Sequence, residues 1–128
     1  MLKFENIEDN QAGGLMAYKV LALDIDGTLT NSKKQITDRT KRAVAAAAER
    51  GVKIVIASGR PVQGIRAFAR ELELEKNDGY ILSFNGGRLI SCRTGEIIHD
   101  VKLPLEYLPE IYALSKKYNV NLMSYEGD

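Results

Sequence analysis

The sequence has little of several features that mark common protein classes. Its one cysteine, Cys92, cannot form an internal disulfide or a thiolate cluster, so a reducing compartment is expected. No apolar stretch approaches the roughly 20 residues needed to cross a bilayer, and no basic region precedes a long apolar one at the N-terminus. The 18 basic and 17 acidic residues give a net charge of +1, which offers no electrostatic footprint for nucleic acid or an anionic membrane. We therefore expect a soluble, cytoplasmic protein that binds neither.

The sequence does have enough apolar residues for one core, at 45% of 128 residues. Residues 18–25, 52–57 and 80–84 have the apolar character of buried strands. Thr37 or Asp38 is a suitable N-cap for a helix over residues 39–50, and Pro61 suits the first position of a second helix. This alternation predicts an α/β fold in which residues 16–86 form part of a doubly wound, parallel, Rossmann-like core.

The pattern changes after residue 86. Residues 88–92 and 96–101 predict an antiparallel hairpin, residues 104–118 predict a helix with Pro109 tolerated near its first turn, and residues 120–125 predict one more strand. We therefore expect residues 87–128 to begin an α+β unit, part of an α/β cap. Residues 1–15 are polar and rich in turn formers, and we interpret them as a leader or tag outside the fold.

Two acids, Asp24 and Asp26, lie at the carboxyl end of the first strand, at the edge of an open α/β sheet where ligands bind. A carboxylate can attack a phosphoryl group to give an aspartyl-phosphate, and Asp24 is our candidate nucleophile. Asp26 is placed to protonate a poor alkoxide leaving group and then to deprotonate water, once Gly27 turns the chain. Because a phosphoryl group and a carboxylate repel each other, a hard cation such as Mg²⁺ is needed, and amides of the Gly27-Thr28 turn can add donors.

Ser58 supports the same chemistry from the second strand. It lies 34 positions after Asp24, where that strand ends and a helix follows. If the two strands are parallel neighbours, Ser58 comes to lie beside Asp24, and its hydroxyl and the amides of the helix can bind a phosphate oxygen.

These motifs resemble those of a known family. Asp24-Ile25-Asp26-Gly27-Thr28 is similar to motif I of the haloacid dehalogenase-like (HAD) phosphatases, and Ala57-Ser58-Gly59-Arg60 is similar to their motif II. Ser58-Gly59-Arg60-Pro61 followed by Phe84-Asn85-Gly86 resembles the Cof-type subfamily, whose members hydrolyse sugar phosphates and related small phosphate esters with Mg²⁺ and carry an α/β cap.

The resemblance implies a role for each matching residue. Asp24 would be the nucleophile and a metal ligand, and Asp26 the general acid/base and a metal ligand through its backbone carbonyl. Ser58 would bind phosphate, while Arg60 and Asn85 would contact substrate or shape the loops. The residues implied in substrate or phosphate binding are Gly27, Thr28, Ser58, Gly59, Arg60 and Asn85.

The sequence also departs from the family. Its members have a motif III lysine and a motif IV pair of acids after the cap, and Gly127-Asp128 does not match that pair because it follows the expected cap strand. We therefore expect a truncated chain that is inactive or impaired by itself.

Other interpretations are a plain turn at the two acids, a phosphomutase of the same superfamily, and a non-catalytic fragment that self-associates through exposed apolar surface. The sequence matches neither an EF-hand nor a Walker loop, because the residues that each motif requires at fixed spacing are absent. A receiver-like signalling module needs an Asp at the end of the third strand, where this sequence has Asn85. The only histidine, His99, has no ligand partner at useful spacing and is expected to face solvent.

Overall fold

The computed structural model describes residues 18–125. They form one five-stranded sheet in the order β1-β2-β3-β4-β5, together with three helices. The strands are β1 (Val20–Leu23), β2 (Lys53–Ala57), β3 (Tyr80–Ser83), β4 (Arg88–Ser91) and β5 (Ile97–Asp100), and the helices are α1 (Asp38–Glu49), α2 (Gln63–Glu71) and α3 (Leu108–Tyr118). The predicted leader, residues 1–15, lies outside the described residues, as does Gly127-Asp128.

The first three strands run parallel, which confirms the α/β prediction. Leu23 pairs with Ile56, and Ala57 pairs with Leu82. The carboxyl ends of β1, β2 and β3 therefore meet at one edge of the sheet. β1 is shorter than the sequence indicates, because the chain leaves the sheet after Leu23 and turns.

The core lies between this sheet and the two helices α1 and α2. Ile54, Ile56 and Ile81 are at most 4% exposed, and they belong to the same buried cluster as Val44 of α1 and Ile65 of α2. Neighbouring strand residues in register point to the same face, so both helices cover that face. The alternate residues of these strands are less well covered within residues 18–125: Val55, Ala57 and Leu82 are half-buried, and Val20 and Ala22 are exposed.

The ends of α1 follow from its sequence. Thr37, one of the two caps that the sequence indicates, accepts a hydrogen bond on its side chain from the Thr40 amide at 3.2 Å. At the other end Gly51 has φ +83, a left-handed conformation that glycine adopts easily.

The start of α2 differs from the prediction. Pro61 does not occupy its first position, because the helix begins at Gln63 with Val62 as N-cap. The Pro61 carbonyl accepts from the Gly64 amide at 3.0 Å, so a tight turn precedes the helix. Val62 is 1% exposed, and its burial fixes that turn against the core.

The predicted hairpin is present, and it extends the core sheet. β4 pairs antiparallel with β3, β5 pairs antiparallel with β4, and Gly95 at φ +71 lies in the turn between them. His99 is exposed on β5, as predicted. Residues 88–100 therefore belong to the same sheet as β1 to β3, and the expectation that residues 87–128 begin a cap stays a prediction.

The helix predicted over residues 104–118 forms as a 3₁₀ turn (Leu105–Tyr107) followed by α3, with Pro109 in its first turn as predicted. The prediction of a strand over residues 120–125 is wrong, because that segment pairs with no strand in residues 18–125. An apolar pattern alone does not make a strand without a neighbouring edge to supply its hydrogen bonds. None of the helices formed within residues 18–125 has the length and apolar character needed to cross a membrane.

Candidate active site

The loop after β1 holds two acids at the carboxyl edge of the sheet. Asp24 and Asp26 are exposed, whereas Ile25 between them is completely buried. The Asp24 carbonyl accepts from the Leu29 amide at 3.0 Å, and the Ile25 carbonyl accepts from both the amide and the hydroxyl of Thr30 at 3.0 and 2.8 Å. Because Ile25 points into the core, its neighbours Asp24 and Asp26 point away from it. The backbone hydrogen bonds from Leu29 and Thr30 fix the conformation of the loop that carries them.

Gly27 allows this loop to turn. Its φ is +81, in the left-handed region that residues with a Cβ rarely adopt. A Cβ at this position would meet no atom within 4 Å, so the demand for glycine is conformational rather than steric. Thr28 follows in an exposed position.

The Asp26 carboxylate is held by two cations. Lys34 donates to Oδ1 at 2.6 Å, and the Arg60 Nη2 donates to Oδ2 at 2.8 Å and to Oδ1 at 2.9 Å. These contacts lower the pKa of Asp26 below its ordinary value of 3.8, first through the hydrogen bond from Lys34 and then through that from Arg60. Asp26 is therefore an ionised carboxylate at neutral pH.

Arg60 is oriented by more than this ion pair. Its guanidinium carbon lies 5.7 Å from the centre of the Phe68 ring, and its Nη1 approaches the Gly64 carbonyl at 3.5 Å. Both partners belong to α2, so the arginine connects the loop after β1 to the first turns of that helix.

Ser58 lies where β2 ends, at the same edge as Asp24. Its amide donates to the Leu82 carbonyl at 2.9 Å, and its Oγ accepts from the Arg60 amide at 3.3 Å. Accepting this bond leaves the hydroxyl proton free to be donated. Because α2 begins at Gln63, two residues later than the sequence suggests and five residues after Ser58, the loop that contains Ser58 is the nearer source of donors.

Asn85, just beyond the end of β3, contacts the loop that contains Ser58. Its amide donates to the Ser58 carbonyl at 3.2 Å, and the Phe84 amide donates to the Arg60 carbonyl at 3.1 Å. A Cβ on Gly59 would lie 2.8 Å from the Asn85 Oδ1, so glycine is what lets this side chain approach. Phe84, Asn85 and Gly86 have φ values of 52, 54 and 96°, and such strained backbone clusters at functional sites.

The structure thus brings the predicted residues into two connected groups. Asp26 contacts Arg60 directly, and Ser58, Gly59 and Asn85 contact one another. Lys34, which no sequence motif indicates, lies eight residues beyond Asp26 in a turn where the Asn31 side chain accepts from the amides of Lys33 and Gln35. The asparagine signals the turn, but nothing in the sequence indicates that Lys34 points to Asp26.

The acids could hold only part of a metal site. Within residues 18–125 no group of three or more His, Cys, Asp or Glu side chains is arranged to bind a metal ion. Two carboxylate-bearing residues are nevertheless sufficient protein ligands for Mg²⁺ when water and a substrate phosphate complete its octahedral shell. Asp24 and Asp26 fit that more limited role.

Comparisons with known proteins agree with this geometry. The sequence profile of the haloacid dehalogenase-like hydrolases matches residues 21–128. The chain is similar to YxeH of Bacillus subtilis, which is named as a phosphatase, at 36% identity over 98 residues that cover 77% of this chain and 36% of that protein.

Two solved structures share the fold. A haloacid dehalogenase-like hydrolase from Bacteroides thetaiotaomicron matches with a TM-score of 0.72 and 41% identity over 80% of this chain and 39% of that one. The HAD subclass IIB sugar phosphatase BT4131 matches with a TM-score of 0.65 and 32% identity over 78% of this chain and 38% of that one. The chain therefore spans less than two fifths of the length of each of these three proteins.

Proposed function

The chain belongs to the haloacid dehalogenase-like hydrolase family, and from that membership we propose that the protein hydrolyses phosphate monoesters of small metabolites, such as sugar phosphates. The observation that carries the proposal is the exposed Asp24 at the carboxyl edge of the sheet, two residues before the Asp26 that Arg60 holds. The relatives named as phosphatases support the same class of reaction.

In the first step a carboxylate oxygen of Asp24 attacks the phosphorus of the substrate. A bond forms between that oxygen and phosphorus, and the bond from phosphorus to the alkyl oxygen breaks. The departing alkoxide takes a proton from the Asp26 carboxyl group, so the alcohol leaves neutral.

In the second step Asp26 accepts a proton from water as that water attacks the phosphorus of the aspartyl-phosphate. The acyl–phosphate bond breaks, inorganic phosphate leaves, and the Asp24 carboxylate is restored. The Ser58 hydroxyl and the exposed amides near Gly27 donate hydrogen bonds to the phosphate oxygens in both steps.

The ion pairs of Asp26 stabilise its ionised form, which acts as the base in the second step. They oppose the protonated form, which acts as the acid in the first step. Lys34 and Arg60 both stabilise the ionised carboxylate, so a proton must be taken up before the first step. A phosphate dianion entering beside Asp24 offers these cations a competing acceptor, which weakens their hold on Asp26. Substrate binding would thereby favour the protonated acid that the first step requires.

Mg²⁺ is part of the proposal. The Asp24 carboxylate and the backbone carbonyl of Asp26 would hold it, as the family resemblance implies. When bound, the cation neutralises the charge that accumulates between the phosphate and the nucleophilic carboxylate.

A phosphomutase of the same superfamily is the closest rival, because it would use the same two acids. It transfers the phosphoryl group back to a second position on the substrate, whereas a phosphatase passes it to water. Release of inorganic phosphate separates the two reactions.

The test is phosphate release from p-nitrophenyl phosphate, with and without Mg²⁺, by the protein expressed from its complete reading frame. Asp24→Asn should reduce turnover to the background rate, while Asp38→Asn, a matched change of an exposed acid in α1, should leave turnover unchanged. Hydrolysis that survives Asp24→Asn would overturn the assignment.

A second role, self-association, has its own observation. Large apolar side chains are exposed on and around α3, among them Leu105 at 78%, Tyr118 at 64% and Met123 at 75%. Exposed apolar patches favour association, and we propose that this 128-residue chain pairs with itself through this region. Light scattering over a dilution series should show a mass above that of one chain at high concentration, and a single-chain mass throughout would contradict it.

A further inference from the structure

A groove lies at the end of the sheet opposite to Asp24. Its walls are α2 on one side and β4 with the following turn on the other, and Ile81 and Ile90 contribute its buried apolar floor. The pairing of Tyr80 with Ser91 places the turn at the amino end of β3, whereas the active-site acids follow the carboxyl end of β1. None of the candidate catalytic, phosphate-binding or metal-binding residues lines the groove, so it is distinct from the candidate active site.

Three arginines line this groove: Arg66 and Arg70 on α2, and Arg93 in the turn. Arg93 forms an ion pair with Asp78 at 2.8 Å. The side chains of Arg66 and Arg70 have no hydrogen-bond or ion-pair partner within residues 18–125, whereas the side chains of Lys41 and Lys53 each pair with an acid. Glu75 is the one carboxylate in the lining, so the positive charge of the groove exceeds the negative.

The spacing of Arg66 and Arg70 also favours an anion between them. Residues four apart lie next to each other on a helix, and like charges at that spacing destabilise it. Arg66 and Arg70 occupy such positions on α2. An anion bound between them would remove that repulsion, and guanidinium groups bind phosphate or carboxylate through paired hydrogen bonds.

The groove is large enough to hold a small organic anion. Its volume is about 320 Å³, within the range of about 300–1,000 Å³ typical of such sites. Ser91 and Thr94 place hydroxyl groups at the turn side, and Ile81 and Ile90 supply apolar contact below. We propose that this groove binds a small organic anion, with its phosphate or carboxylate between Arg66 and Arg70 and its apolar body against the floor.

The test uses phenyl phosphate as the probe and NMR of the ¹⁵N-labelled chain as the readout. The amide of Gly95 and the side-chain Nε–H signals of Arg66 and Arg70 should shift saturably as the probe is added. The amides of Gly27 and Gly59 report separately on the candidate active site, so binding there is distinguished from binding in the groove. Inorganic phosphate should bind the groove more weakly, because it lacks the apolar body.

Arg66→Gln and Arg70→Gln should each weaken the groove binding about tenfold or more, since each removes a charged hydrogen-bond donor. Arg42→Gln, a matched change at an exposed arginine of α1, should leave the binding unchanged. All three side chains are exposed, so the amide spectra of the variants should otherwise overlay that of the parent. Absence of saturable shifts at Gly95, or equal binding by Arg70→Gln and Arg42→Gln, would overturn the proposal.

Discussion

The guanidinium of Arg60 spans the carboxylate of Asp26, with Nη2 at 2.8 Å from Oδ2 and 2.9 Å from Oδ1. The two residues belong to different loops at the same edge of the sheet, and Lys34 adds a third group at 2.6 Å. The contact thus joins the loop after β1 to the loop that precedes α2. It also sets the charge state of the acid that the proposed reaction uses twice.

The first prediction concerns the ionisation of Asp26. NMR titration of its side-chain carboxyl carbon should give a midpoint below the ordinary value of 3.8, because Lys34 and Arg60 stabilise the carboxylate. The stability that this pairing contributes is present above the unfolded-state pKa and is lost as the pH falls through the lower folded-state value.

Removing both cations, as Lys34→Gln with Arg60→Gln, should return the midpoint toward that of the same carboxyl in the urea-unfolded chain. A midpoint that lies at or above the unfolded value in the parent chain would show that these ion pairs do not form in solution.

The second prediction compares two glycines that differ in the space around them. A Cβ on Gly79 would lie 2.8 Å from the Leu74 Cβ and 3.1 Å from the Ile54 carbonyl oxygen, whereas a Cβ on Gly64 would meet Arg60 at an ordinary 3.5 Å. Gly79→Ala should lower the free energy of unfolding by about 1–3 kcal/mol, since it overpacks the core.

Gly64→Ala should instead raise the free energy of unfolding by about 0.5–1 kcal/mol, because it lies within α2 and alanine favours a helix. Urea denaturation of both variants measures the difference. Equal effects of the two substitutions would contradict the packing around β2 and the segment before β3.

The third prediction concerns the thiol of Cys92. Partial burial raises its pKa to about 11, and the negative charge of Glu75 adds to that effect. At pH 8 nearly all of the thiol is then protonated, and the thiolate is the reactive form. Iodoacetamide should therefore alkylate Cys92 in the folded chain about a hundredfold more slowly than in the urea-unfolded chain. Comparable rates in the two states, followed by mass spectrometry, would show that the thiol is not buried in this way.

Much of the fold and the outline of the site followed from local patterns. The apolar run before Asp24 forms a strand, although a shorter one than predicted. The cap at Thr37 and the glycine-containing turn at Gly95 formed as predicted, because each is determined by neighbouring residues. The shared edge of Asp24 and Ser58 followed from topology, because parallel neighbouring strands end on the same side.

The remaining features depend on partners distant in sequence. The pairing of Lys34 with Asp26 depends on how the loop between them folds back, which no periodic pattern records. β4 continues the core sheet because β3 offers it a free edge, whereas residues 120–125 find no such edge within the described chain. α2 begins at Gln63 rather than at Pro61, because the Pro61 carbonyl accepts from the Gly64 amide in a tight turn before the helix.

The most direct test of the proposed chemistry is to trap the phosphoryl group on Asp24. The protein expressed from its complete reading frame is quenched during turnover of a phosphate ester and treated with borohydride, which reduces an aspartyl-phosphate to homoserine. Peptide mass spectrometry should find homoserine at position 24, and none there when substrate is omitted or when Asp24→Asn removes the carboxylate. Steady hydrolysis with unmodified Asp24, or reduction at another acid, would contradict nucleophilic catalysis by this residue.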